Sequence, residues 1–327
     1  MLLRLFRSHQ PVVIIILPVI TVLFWMRTLL HGTLPGIVID ENQMPLYELI
    51  HNLINGNSLI TLITAIALVI IQSFMLNWLN SKYIFIETRS YLPPVFFILL
   101  SSCYLPMQQL HPVLFANFFL ILAINKILGN VKERHLFSKY FYAGFFIALG
   151  SLFYANLVFY FIIIWISMMI LRPFDWREWI ISLLGLLTPF LFAVVIYFYI
   201  NSLHELASTF LHNILIPNPI PDIGIFYYIF FGYLFFLLLI SVFLLFSRFI
   251  NKKIIARKYF SVFIWLFIVS VLVFFFVPSS SFELMILASV PASYLLSNYF
   301  ITVRYNFRSE LMFLLLIAII VVIQFVK

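Results

Sequence analysis

Adjacent carboxylates at Asp40 and Glu41, followed closely by Glu48 and His51, are the groups of this sequence best suited to acid–base work. Carboxylates and imidazoles exchange protons near neutral pH when their surroundings tune them. A second set of the same types, His204, Glu205 and His212, stands far along the chain. Arg27 precedes the first set, and its planar donors match a phosphate. These residues are the candidates: Asp40 and Glu41 for catalysis, and Arg27, Glu48, His51, His204, Glu205 and His212 for substrate binding. The plain alternative for the acids and histidines is a solvated loop, and for Arg27 a side chain snorkelling to headgroups. Metal is not expected, because His204 and His212 lack a recognised ligand spacing and no cysteine joins them; no cofactor is expected either.

Two amphipathic stretches must position these groups. Between Met44 and Asn57, Leu46, Leu49, Ile50, Leu53 and Ile54 recur at helical spacing opposite Glu48, His51, Asn52 and Asn55, with Pro45 in the first turn and Gly56 at the end. Between Leu203 and Ile214 the pattern repeats, with Leu206, Ala207, Phe210 and Leu211 facing away from His204, Glu205, Ser208 and His212. Both read as helices lying in a membrane interface. The second leads into Ile216-Pro217-Asn218-Pro219-Ile220-Pro221-Asp222, where closely spaced prolines favour a stiff, extended backbone.

The rest of the chain places those helices. Of 327 residues 65% are hydrophobic and 9% charged, which makes a bilayer the solvent. The expected fold is all-α and polytopic, one transmembrane domain over 1–327. Its eleven apolar segments are 11–30, 58–79, 91–105, 112–128, 140–154, 156–171, 180–200, 225–246, 259–277, 284–301 and 311–326. Continuous apolar runs exclude a membrane barrel. The stretch 140–171 reads as two short helices or one long one, and charge decides for two. With two crossings, every lysine and arginine except Arg27 and Lys327 falls on one side, which the positive-inside rule makes the cytoplasm. The N-terminus is then cytoplasmic, the C-terminus extracytoplasmic, and the longest outer loops are 31–57 and 201–224. The N-terminal apolar run is too long for a cleaved signal peptide and reads as a retained first helix. Cys103, the sole cysteine, reads as a packing residue.

Within the spans the polar residues are mild: Gln72, Asn77, Gln108, Asn117, Asn125, Asn156 and Gln324. No buried carboxylate is expected, which lowers an ion-coupled transport reading. The cytoplasmic loops are too short for a nucleotide-binding fold and carry no P-loop. The net charge of +8 is a topology signal, and no nucleic-acid partner is expected.

Five stretches carry a resemblance: Leu3 to Pro11, Ser90-Tyr91-Leu92-Pro93-Pro94, Leu110-His111-Pro112-Val113-Leu114-Phe115-Ala116-Asn117, Gly144 to Tyr154, and Arg172-Pro173-Phe174-Asp175-Trp176. By them the chain resembles, over most of its length, a family of polytopic membrane proteins from Bacteroidota. Members have no assigned chemistry, and some are labelled carotene monooxygenases. That label finds no physical support, since such enzymes hold iron with four histidines on a soluble propeller and the histidines here are scattered. The resemblance implies a bacterial inner membrane. In architecture the chain is similar to membrane glycosyltransferases of the GT-C class, which share a cytoplasmic N-terminus and an acidic first outer loop followed by an interfacial helix. They also share a large outer loop after the seventh span. This similarity implies that Asp40 or Glu41 is the base on an acceptor, that Arg27 meets a polyprenyl phosphate, and that 201–224 closes over a sugar. Two departures weigh against catalysis: Pro106 to Pro112 lacks a second acidic site, and Arg27 is nearly alone outside as a basic residue. The alternatives are a non-catalytic subunit or scaffold that binds a membrane protein partner, and a transporter.

Overall fold

The computed structural model describes residues 2–7, 10–32, 43–54, 58–86, 90–129, 137–217, 224–303 and 306–325. It is all-helical, with no strand among the described residues. The helices are α1 (Leu2–Arg7), α2 (Val12–Phe24), α3 (Met26–His31), α4 (Pro45–Ile54), α5 (Ser58–Tyr83), α6 (Leu92–Ser101), α7 (Pro112–Leu128) and α8 (Phe137–Ser151). They continue with α9 (Ile162–Leu171), α10 (Trp176–Tyr199), α11 (Leu203–Leu215), α12 (Ile225–Ser247), α13 (Ile254–Phe276), α14 (Leu284–Thr302) and α15 (Phe307–Phe325). A 3₁₀ stretch, Ala155–Phe161, runs directly into α9. Six helices, α5, α10, α12, α13, α14 and α15, are long and apolar enough to cross a membrane.

The least hydrophobic of the six is the most buried. The apolar window of α14 has mean hydropathy 1.5 and is 89% buried, whereas that of α12 has mean hydropathy 2.8 and is 28% buried. A helix facing lipid must be apolar all round, while one enclosed by protein can carry polar groups whose hydrogen bonds close locally. Ser289, Ser293 and Ser297, four residues apart, do this by donating to the carbonyls of Ile286, Val290 and Ser293. Their small size lets α6, α12 and α13 pack around α14.

Helix ends gather at two opposite poles. At the basic pole Lys258 donates to the Leu171 carbonyl, the Tyr259 hydroxyl to the Leu128 carbonyl, Arg248 to the Thr302 carbonyl and Arg7 to the Val303 carbonyl. At the other pole the Trp25 indole donates to Ser102 Oγ (2.9 Å), Thr28 Oγ1 to Gln108 Oε1 (2.6 Å), and Arg27 to the Gln324 carbonyl. The chain turns at Leu152–Tyr154, so α8 and the helix from Ala155 to Leu171 are separate elements, as charge placement predicts.

Beside this core α8 and α10 make the most extensive pairing in the molecule. Gly144 and Gly185 permit it. A β-carbon on Gly185 would collide with the Phe141 carbonyl, and one on Gly144 with the Ser182 carbonyl. Phe145 and Leu149 of α8, with Leu152 just after it, face the same cavity as Pro189, Phe192 and Ile196 of α10, so the two helices advance together towards the second pole.

Candidate functional site

At that pole α4, α10 and α11 enclose a cleft. Its polar half, about 280 Å³, is lined by Gln43, Glu48, His51, Asn52, Tyr197, Glu205 and Thr209. Its apolar half, about 500 Å³, runs between α8 and α10 over Phe145, Leu149, Leu152, Phe192 and Ile196. Pro45, Glu48, Asn52, Tyr197 and Glu205 border both halves, so they form one space that is wet at one end and greasy at the other. The Tyr197 hydroxyl stands within electrostatic reach of both Glu48 and Glu205. Thus three candidates from loops far apart in sequence, Glu48, His51 and Glu205, line a single site.

The other described candidates, Arg27, His204 and His212, are not among the residues that line this site. Arg27 is half-buried and spends a donor on the Gln324 carbonyl at the end of α15, where a cation favourably meets the carboxyl terminus of a helix. It is not among the lining residues, so its expected meeting with a phosphate finds no support in its position. His204 is exposed and His212 half-buried, and neither lines the cleft. Asp40 and Glu41 lie outside the described residues. Among the described residues no group of three His, Cys, Asp or Glu side chains could hold a metal ion.

The anchor of α4 lies outside its predicted apolar stripe. Leu49 and Leu53 are 60% and 83% exposed, and the most buried side chain is Tyr47, at 1%. The Tyr47 hydroxyl donates to the Leu110 carbonyl (2.8 Å), and the Leu46 amide to the Leu152 carbonyl (3.2 Å). An aromatic ring with a polar tip can anchor where a leucine cannot, because its hydroxyl finds an acceptor at depth. The helix is therefore moored by its amino-terminal turn, and Leu49 is left to line the cleft.

Beneath these moorings lies a buried polar network that includes a carboxylate the sequence reading missed. The imidazole of His111, at the N-cap of α7, accepts at Nδ1 from the Val113 amide (3.3 Å). That leaves Nε2 as the donor to Glu283 Oε2 at 3.1 Å. The other carboxylate oxygen accepts from the Tyr154 hydroxyl at 2.6 Å. Tyr154 in turn accepts from Asn156 Nδ2 (3.1 Å), and Asn156 Oδ1 from Ser279 (3.1 Å).

The network ties together three turns: the one before α7, the one after α8 and the one before α14. Each member alone reads as an ordinary residue at the edge of an apolar run. The available signals were His111 before Pro112, a helix-start pattern, and Glu283 immediately before the apolar run from Leu284. The pair sits at helix ends and not at mid-span, so it adds little to an ion-coupled transport reading.

Comparison of the chain with protein-family models, with curated proteins and with solved structures returns no match.

Proposed function

We propose that the chain is an eleven-span protein of a bacterial inner membrane, and that its cleft opens at the outer leaflet to hold an amphiphile whose polar head is a sugar. The span count is supported by the pole-to-pole alternation of helix ends, and the orientation by the gathering of basic residues at one pole. In this topology α4 and α11 lie in the outer interface.

The observation that carries the functional reading is the continuity of the cleft's two halves. An aliphatic chain fits between α8 and α10, while Glu48, Asn52, Gln43 and Glu205 offer hydrogen-bonding partners to hydroxyl groups. The reaction is glycosyl transfer from a lipid-linked donor, as the likeness to GT-C enzymes implies. The bond between the sugar's anomeric carbon and the phosphate oxygen breaks, and a bond from that carbon to an acceptor oxygen forms. The acceptor's proton passes to Glu48 or Glu205, whichever faces it, and His51 supplies the neighbouring donor. No lysine or arginine is among the described lining residues, so recognition centres on the sugar and the chain, not on the phosphate.

The test replaces Glu48 and Glu205 by Gln, singly and together, and follows lipid-linked sugars, membrane glycans and protein abundance in the same cells. The double variant is expected to lose the glycan and accumulate the lipid-linked precursor at least tenfold at normal abundance, the usual scale for removing a general base. Unchanged glycans at normal abundance remove the enzyme reading. The weight then passes to a non-catalytic subunit, for which α10, 22% buried in its apolar window, offers the widest flank to a partner.

A further inference from the structure

The basic pole holds a second cluster, remote from the cleft. Arg7 donates to the carbonyls of Ile301 and Val303, and Arg248 to that of Thr302 at 3.1 Å. Lys252, 9% exposed, donates to Asn298 Oδ1 at 2.8 Å. All three close on the last turn and a half of α14. A helix carboxyl end carries roughly half a negative charge, and Arg7 and Arg248 alone bring two full positive charges to it. Among the described residues of the cluster, neutralising the helix end therefore leaves positive charge over.

A second, independent observation points the same way. Asn298 is 2% exposed, and its amide nitrogen has no acceptor. A buried donor without a partner costs about 1–3 kcal/mol, and this one lies against a cationic cluster. Every side-chain nitrogen named there is a donor, and what would complete the cluster is an acceptor bearing negative charge. The flanks are greasy: Phe246 and Ile250 beside Arg248 are 56% and 87% exposed, and Phe307 at the start of α15 is 81% exposed.

We infer that this cluster binds the phosphate of an anionic phospholipid, with Arg248 and Arg7 on the phosphate oxygens and the acyl chains against the apolar flank of α12. The exposed aromatic and aliphatic side chains around Arg248 favour a lipid over a free phosphate. Charges of this kind are worth about 1 kcal/mol each at an anionic membrane surface, or about fivefold in affinity.

The full-length protein is purified in a neutral detergent and offered equal amounts of dioleoyl-phosphatidylglycerol and dioleoyl-phosphatidylcholine, and retained lipid is counted by native mass spectrometry. Wild type is expected to retain phosphatidylglycerol in clear preference. Arg248→Gln, an exposed change that leaves the packing intact, is expected to cut that preference about fivefold. Arg177→Gln, on the same pole but away from α14, is expected to keep it. Equal retention of the two lipids by wild type, or an equal loss in Arg177→Gln, overturns the inference. Displacement of phosphatidylglycerol by millimolar inorganic phosphate alone overturns the lipid source in favour of a free anion.

Discussion

Removing the imidazole of His111 tests whether the buried network holds its three turns together. His111→Ala deletes the donor to Glu283 Oε2 and the acceptor for the Val113 amide. The carboxylate, in a residue 5% exposed, keeps only its Tyr154 partner. Taking a hydrogen-bond donor from a buried carboxylate costs about 1.5–3 kcal/mol, and loss of a helix cap about 1 kcal/mol. The expected total is about 2.5–4 kcal/mol. For a chain of this size, with an unfolding entropy of about 0.7 kcal/mol/K, that is a fall of roughly 4–6 °C in melting temperature. The protein carries its own reporter, since Cys103 is its only cysteine and is buried, with Sγ 3.7 Å from Met285 Sδ on α14. A thiol-reactive fluorophore thus signals the separation of α6 from α14. Replacing both partners together, His111→Leu with Glu283→Leu, removes the stranded charge and is expected to cost less than the two single changes added. A melting point for His111→Ala within about 2 °C of wild type, or a double variant at least as damaged as the sum, refutes the reasoning.

The mooring of α4 gives a pH prediction. Burial pushes the Tyr47 phenol up to about 12 from its ordinary 10.0. A raised phenol contributes stability that is fully present below pH 10 and is lost as the pH climbs through about 12. Wild type should therefore lose stability over that window, with a contribution from this group of up to about 1.4 kcal/mol per pH unit. Tyr47→Phe should show a shallower slope in alkaline thermal melts, and an equal slope contradicts the assignment. The α8–α10 crossing predicts that Gly185→Ala, which must displace the Phe141 backbone, lowers the melting temperature by several degrees, on the usual 1–3 kcal/mol scale of overpacking. Gly232→Ala, which meets nothing within 4 Å, should leave it unchanged.

What the sequence reveals and what it hides divide along the solvent. Apolar runs were legible because lipid demands them: 112–128 matches α7, and 284–301 falls within one residue of α14. Glu48, His51 and Glu205 could be singled out because polar groups near an interface are few. Their convergence was not legible, since it depends on how α10 carries α11 towards α4. The Glu283 network was less legible still. Tyr154 and Glu283 are 129 positions apart, and nothing local to either announces the other. The anchor of α4 was not legible, because hydrophobic spacing counts leucines and passes over a tyrosine whose hydroxyl reaches the Leu110 carbonyl. Arg27 stood out as the misplaced cation, but its partner is a carbonyl at the far end of the chain, on α15.

The enclosure of α14 bears on how the protein is made. Its apolar window, at mean hydropathy 1.5, is the weakest of the six long helices, and it is flanked by α13 at 2.6 and α15 at 2.1. A nascent segment that partitions poorly on its own enters the bilayer best when stronger neighbours carry it. The helix that becomes the centre of the bundle is then the last to settle, held until α15 has been synthesised. Chains truncated after Thr302 should accordingly leave the insertion machinery with their central helix unseated, and quality-control proteolysis would begin there.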